Sequence, residues 1–409
     1  MKLWDYLKNK LTTFSYATAF PQCYTTYADI MEYQCAKKTG KIEVCDKPSK
    51  LENAKAVLRA IASGATCVPY DKDYGDGRLF GGYLTSETYL EAAFVMLTGG
   101  TTGNAKGIIL SDKNVITNLE YIDGYFDVTG CKSICIMRPL SHVSALVGEL
   151  LFALTKGLRI YFYEEAFVPS RLIKFLKENE IDVFCSTPTV FDALSSVQSE
   201  MPNLKVASIS GERLNPFIAE KLAKKFIGTE FYNVYGLTEH SPRVSALLPK
   251  DFLKKAGSVG KPIGDVEIKI DDGELAVRSP CVMQGYVHGG VGKIKQGWLY
   301  TGDMAHIDSE GYLYIDGRKD GMINRAGVNI FPEEAEGMIK KCAQVEDVIV
   351  YETKTRGGLS VVAADYTGDI SVQALRAEME RKVPAKLRPT VINKVDKIAL
   401  STALKKVRK

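Results

Sequence analysis

The stretch LTGGTTGNAKG, residues 97–107, closes the apolar run AAFVML and gathers four glycines, three threonines and one lysine. A tight turn needs one or two glycines. It does not need Thr98, Thr101, Thr102 and Lys106 as well. Glycine tolerates positive φ and lets backbone approach a ligand closely, so successive N–H groups can converge on an anion. Threonine hydroxyls add donors, and a lysine adds a point charge for phosphate. The stretch reads as a polyphosphate cradle. It is not a Walker A loop, because Ala105 precedes Lys106 and Gly107 follows it. Taken alone, it leaves a flexible hairpin turn open as the alternative.

Outward from the loop the pattern is α/β. AAFVMLT and GIIL read as flanking strands, and Ser111 is placed to cap the helix DKNVITNLEYI. Upstream, ENAKAVLRAIASG is helical, with Gly64 at its end, and ATCVPY is a short strand. Downstream, VGELLFALTKG and PSRLIKFLKENE are helical and alternate with the strands LRIYFY and IDVFCS, as in a layered α/β sheet. From about residue 256, VGKPIGDVEIKIDDGELAVRSP shows strand alternation broken by turns, which predicts a β-rich subdomain over about 256–316. Beyond Asp320 come two helical segments (PEEAEGMIKKC, SVQALRAEMERKV) and two strands (DVIVYE, LSVVAADY), a small α+β domain. The expected organisation is a large domain over 1–319 and a small one over 320–409.

Composition narrows the function classes. The chain has 409 residues, 45% hydrophobic and 25% charged, with a net charge of +4. That is ordinary globular composition and long enough for more than one domain. Nine cysteines at irregular spacing, without C-x-x-C, argue against a disulfide framework or a zinc site, and four scattered histidines argue against a His-rich metal centre. No apolar run reaches the length of a membrane span, and no basic stripe carries interleaved aromatics. The expectation is a cytoplasmic soluble protein with no membrane span and no nucleic-acid partner.

The loop resembles the phosphate-binding signature of the adenylate-forming superfamily, the acyl-CoA synthetases, amino-acid adenylation domains and luciferases. Their form [ST]-[SG]-G-[ST]-T-G-x-x-K-G is met at every position from Thr98 through Gly99, Gly100, Thr101, Thr102 and Gly103 to Lys106 and Gly107. Five further segments resemble that family. NVYGLTEHS (233–241) is similar to its YGxTE element, which implies Asn233, Tyr235 and Gly236 at adenine, Thr238 at the α-phosphate and Glu239 on Mg²⁺, with Thr102 a candidate second ligand. SGERLNP (210–216) resembles its GGExL segment and implies Gly211 and Glu212 at the adenine pocket. WLYTGDMAHID (298–308) implies Asp303 on the ribose hydroxyls. GYLYIDGRKDGMINRAGVNIFPEEAE (311–336) resembles the hinge segment and implies Arg318 at ribose or phosphate, Asp320 as pivot and Gly327 in the thioester-site loop. LSTALKKVRK resembles the terminal catalytic motif and puts Lys406 on the catalytic lysine.

The resemblance implies activation of a carboxylic acid by Mg²⁺ and ATP to an acyl-adenylate, then transfer to CoA, with the small domain mobile between the two steps. Four positions depart from it: Lys405 stands where the family has glycine before the lysine, Asn324 and Ala326 alter the hinge loop, Gly99 replaces a common serine, and the region before Gly64 is short. A ligase that loads an acyl carrier protein and a non-catalytic adenylate-binding protein are the alternatives. MRPLSHVSALVGELLFALTKG (137–157) aligns with the family's substrate-lining segment, where Ser141 and His142 stand in place of the aspartate that pairs an amino-acid amine. A fatty, short acyl or aryl acid is therefore expected.

Overall fold

The flanking strands form the hairpin that the glycine-rich stretch implies. Ala92–Thr98 pairs antiparallel with Lys106–Ser111, with Leu97 opposite Gly107 and Thr98 opposite Lys106. This computed structural model describes all residues except 15–16, 34–40, 71–90, 99–105, 288–291, 326–327, 355–359, 402–405 and 408–409. The loop residues from Gly99 to Ala105 thus lie outside the described part, as do Gly327 and Lys405. The hairpin belongs to a five-stranded sheet in the order Gly285–Tyr286, Lys106–Ser111, Ala92–Thr98, Thr66–Pro69, Ile42–Cys45.

A seven-stranded sheet lies beside it, ordered Lys261–Pro262, Arg243–Leu247, Glu230–Gly236, Val206–Ser210, Val183–Ser186, Ser133–Ile136, Arg159–Phe162. Its five strands from Glu230–Gly236 to Arg159–Phe162 run parallel, and the two at the other end are antiparallel. The parallel strands are nearly continuous apolar runs because helices such as Pro169–Glu178, Pro188–Ser195 and Pro216–Lys225 cover them. Proline in the first turn of each helix removes a donor that would have had no intrahelical partner.

The β-rich segment forms an antiparallel sheet of Glu267–Asp271, Glu274–Arg278, Trp298–Ile307 and Ile294–Lys295, with Leu313–Arg318 paired to Trp298–Ile307. Asp272 and Gly273 both have positive φ, as a two-residue hairpin of matching twist requires. After residue 320, Val345–Lys354, Ser360–Gly368 and Val391–Lys394 form a three-stranded sheet packed by Pro332–Ile339 and Val372–Lys382 around a separate apolar cluster.

One helix organises the surroundings of the glycine-rich loop. In Asp112–Tyr125, Ser111 and Asn114 form a reciprocal capping box. The Asn114 amide also donates to the carbonyls of Pro280 (2.7 Å) and Val282 (2.9 Å), and one turn on Asn118 clamps the backbone of Arg243 through N–H and C=O. The segment expected to be a regular helix, VGELLFALT, is instead α over Val143–Ala145, π over Leu146–Leu151 and α over Phe152–Thr155. In the widened stretch Gly148 lies against Arg243: a Cβ there would come 2.8 Å from its guanidinium.

Asn114→Ala removes half of the cap and both bonds to 280–282, and about 2–3 kcal/mol of stability should go with them. Ser111→Ala should cost about 1 kcal/mol. Thermal melting of the two variants checks the order; equal melting temperatures would refute it.

Candidate active site

Asp303 and Arg318 are directly opposed across the antiparallel pair Trp298–Ile307 and Leu313–Arg318, so the sheet register itself brings carboxylate and guanidinium together. Arg318 Nη1 is 3.3 Å from Asp303 Oδ1, and its Nε and Nη2 reach both oxygens of Asp320 at 3.1 and 3.4 Å. The Tyr235 hydroxyl, from the last turn of the central strand Glu230–Gly236, donates to Asp303 Oδ2. The Thr301 Oγ1 accepts the Asp303 N–H at 3.1 Å. Burial pushes the Asp303 carboxyl above its ordinary range against the pull of Arg318. Burial, and then the Asp303 charge, holds the Tyr235 phenol well above its usual value. Arg318 loses solvation, but Asp320 and Asp303 more than offset this and hold it firmly charged. Each carboxylate oxygen keeps a further lone pair for an incoming hydroxyl.

Beyond Tyr235 the chain turns sharply. A Cβ on Gly236 would sit 2.1 Å from the Pro242 carbonyl oxygen, so only glycine passes here. Thr238–His240 forms a single 3₁₀ turn, and Ser241 closes it with φ +66°. This turn presents Glu239, whose Oε1 accepts from the Tyr286 hydroxyl (2.9 Å) and lies 3.8 Å from Lys293 Nζ. Tyr286 stands on the strand paired with Lys106–Ser111, and the Lys106 ammonium lies 5.7 Å from its ring centroid. Lys293 Nζ is also 3.5 Å from the Thr301 carbonyl, between Glu239 and the Asp303 group. One carboxylate thus sits among two ammonium groups and a phenol. No trio of His, Cys, Asp and Glu fit for a metal occurs among the described residues.

His240 is fully buried beside this turn. Its Nδ1 faces the Arg243 carbonyl at 2.8 Å, which can only accept, so Nδ1 carries the proton and Nε2 accepts from Ser279 Oγ at 2.7 Å. Burial lowers its pKa to about 4.

Glu212 follows Gly211, which has φ +93°. Its Oε2 accepts from the N–H and hydroxyl of Thr189, and its Oε1 from the Lys406 N–H at 3.2 Å. The Lys406 ammonium does not turn towards Asp303 or Glu239. It donates to Asp347 Oδ1 at 2.5 Å and to the Val348 carbonyl at 3.0 Å. Burial would lower its pKa, but Asp347 and Glu336 outweigh this and raise it. On the remaining side, Ser141 is buried and His142 half-buried at the start of the α–π–α segment, and Asn233 is buried with its amide on the Ser258 carbonyl.

A family model described as "AMP-binding enzyme" matches residues 85–287. The long-chain-fatty-acid–CoA ligase of Escherichia coli O157:H7 is 33% identical over 280 residues, which cover 63% of this chain and 49% of that protein. A 2-succinylbenzoate–CoA ligase of Listeria innocua serovar 6a is 30% identical over 264 residues, covering 63% of this chain and 56% of that one. The o-succinylbenzoate CoA synthetase of Bacillus subtilis, solved with its acyl-adenylate intermediate, superposes with a TM-score of 0.80 at 20% identity over 99% of this chain and 97% of that one. Over residues 85–287 the chain is similar to AMP-binding enzymes, and its relatives at 30–33% identity are CoA ligases. It spans about half the length of the curated relatives it matches.

The fold brings together Tyr235, Asp303, Arg318 and Asp320 as one group, and Glu239 and Lys106, through Tyr286, as another. Lys406 stands apart from both, on Glu212 and Asp347. Thr98 ends its strand, and the cradle residues Gly99, Gly100, Thr101, Thr102 and Gly103 lie outside the described residues. Tyr286 and Lys293 escaped the sequence reading: neither sits in a motif, and only the pairing of strands distant in sequence delivers them.

The buried neutral His240 sets an acid limit on stability. Its folded pKa lies below the unfolded value, so the unfolded chain binds the extra proton between pH 6.5 and about 4. Stability attributable to this group is therefore complete above pH 6.5 and falls by about 3 kcal/mol as pH drops through that window. Melting temperature against pH should show a slope there that His240→Asn flattens; an unchanged slope would refute the assignment.

Proposed function

We propose that the chain activates a carboxylic acid with ATP to an acyl-adenylate, releasing pyrophosphate, and then passes the acyl group to the CoA thiol, releasing AMP. The observation that carries this reading is the Asp303 carboxylate, held between the Tyr235 hydroxyl and Arg318 with lone pairs free for a ribose diol. The names of the relatives as CoA ligases support the reaction type.

In the first step a carboxylate oxygen attacks the α-phosphorus and pyrophosphate leaves. Negative charge spreads over phosphoryl oxygens, so the protein's task is to position reactants and to stabilise charge rather than to supply a nucleophile. Tyr235 offers a flat face to adenine, with Asn233, Gly236, Gly211 and Glu212 lining the base, and Asp303 and Arg318 hold the ribose. Residues Thr98–Gly103 and Lys106 hold the β- and γ-phosphates, and Thr238 donates to the α-phosphate. The donor set around Glu239, a half-buried carboxylate that belongs to no trio of His, Cys, Asp or Glu among the described residues, suits Mg²⁺, which takes one or two protein carboxylates and completes its shell with phosphate and water oxygens. Glu239 would hold the ion, with Thr102 a candidate second ligand, and the bound ion would neutralise phosphate charge. Ser141 and His142 line the acid. Lys406 bridges the carboxylate and α-phosphate after leaving Asp347, which requires the part beyond Asp320 to turn on the large domain. In the second step the thiol attacks the acyl carbon, the acyl–phosphate bond breaks, and the thiol proton goes to solvent; the loop at Gly327 shapes that site. An acyl carrier protein is the alternative thiol, and the cytoplasm the proposed compartment.

Pyrophosphate release from Mg·ATP should depend on an added carboxylic acid, and AMP release should accelerate with CoA. Lys406→Ala should lower the first rate by a factor on the order of 10² or more. Absence of acid-dependent release across fatty, short acyl and aryl acids, with ATP binding intact, would overturn the reading; acceleration by a carrier protein alone would change the acceptor.

A further inference from the structure

The α–π–α segment and the strand after Glu239 enclose three buried charges that the reaction above does not use. Arg138 and Arg243 are each 3% exposed and Glu149 is fully buried. Arg138 Nη2 meets Glu149 Oε1 at 2.5 Å. Arg243 has only neutral hydrogen-bond partners: its Nη1 reaches Ser144 Oγ at 3.3 Å, and it contacts the Tyr125 hydroxyl. Among the described residues no other carboxylate pairs with either guanidinium, so two cations face one anion. Among the described residues, Arg138 Nε, Arg243 Nε and Glu149 Oε2 have no hydrogen-bond partner. Glu149 is drawn on by both guanidinium groups, so two buried cations share one carboxylate and one positive charge is left without a counter-charge, at a cost of several kcal/mol. The chain nevertheless builds room for it: Gly148 lacks the Cβ that would collide with Arg243, and Asn118 clamps the Arg243 backbone from both sides. Burial pushes the Glu149 carboxyl above its ordinary range against the pull of Arg138 and Arg243.

The cluster also lies among the segments assigned to the acid and the adenylate. Arg138 is three residues before Ser141, and its Nη1 is 3.5 Å from Ser210 Oγ, which immediately precedes Gly211 and Glu212. Arg243 is four residues after Glu239. We propose that Arg243, with Arg138, forms the anion-recognising end of the acid pocket, and that the substrate is a dicarboxylic acid whose second carboxylate supplies the missing counter-charge. This rests on the acid-activating reading above. Arg243 then selects the substrate, Arg138 completes the bidentate recognition, and Glu149 sets the net charge of the pocket. A plain fatty acid would leave the guanidinium uncompensated and bind poorly.

The test measures kcat/KM for pyrophosphate release with straight-chain and aromatic dicarboxylic acids, each beside its monomethyl ester. The wild-type chain should prefer the free diacids by about tenfold or more. Arg243→Leu should erase that preference while KM for ATP stays within about twofold, and Arg243→Lys should keep part of it. Glu149→Gln removes the competing carboxylate and should strengthen the diacid preference, a shift that a merely structural role would not produce; it also keeps the test open if Arg243→Leu fails to fold. Monoesters used as well as or better than diacids by the wild-type chain would overturn this inference and leave acid activation standing. Release with neither class would overturn both.

Discussion

The pairing of Asp303 with Arg318 ties together three parts of the molecule that are far apart in sequence. The two residues belong to one antiparallel ladder of the β-rich sheet. Through Tyr235, Asp303 reaches the last residues of a central parallel strand, and through Asp320, Arg318 reaches the point where the chain passes into its small α+β part. Partly buried charges of this kind are unstable alone; the carboxylate without Arg318 and Tyr235 would be a buried charge lacking compensation. The parallel sheet therefore ends, at its carboxyl edge, in a polar group that only the other two parts can complete. Open α/β sheets bind ligands at that edge, and here the edge is shaped by long-range partners rather than by loop sequence alone.

The contact between the small part and the rest is likewise polar. Lys340 reaches Asp192 at 2.7 Å, Asp192 also holds Lys221, and Asn215 donates to the Gly337 carbonyl. The Lys406 N–H sits on Glu212 while its ammonium sits on Asp347. The small part keeps its own apolar cluster, centred on residues such as Ile339, Val350 and Tyr366. A polar seam between separately packed cores can be remade in another arrangement at little cost, whereas a shared apolar core could not.

The fold was legible where local pattern and burial coincide. The hairpin around the glycine-rich stretch, the capped helix after it and the Asp272–Gly273 turn follow from apolar periodicity and turn chemistry. The first helix, Leu3–Leu11, was not legible, because its five buried residues share the segment with two lysines, an asparagine and an aspartate. The candidate site residues were picked out as motifs, and their geometry was not legible. Tyr235, Asp303 and Arg318 were each visible in a short pattern, yet their union depends on strand register. Lys293, Tyr286 and Arg243 carry no motif, and a lone charged residue in sequence looks like solvated surface until the fold buries it.

The position of Lys406 shows why a motif names a residue without giving its state. Its ammonium has two good acceptors, one of them charged, and charge-assisted bonds of this sort contribute about 1.5–3 kcal/mol each when removed from solvent. Partial exposure of both Lys406 and Asp347 reduces that figure. What remains is a bias of a few kcal/mol towards Asp347, small enough for a competing anion of comparable strength to offset. Asp347 would then act on how often the lysine is available and not on the chemistry once it has arrived. The same logic applies to Glu212, whose two oxygens are divided between Thr189 and the Lys406 backbone: it secures the approach of the terminal segment to the turn at Gly211 without engaging the ammonium.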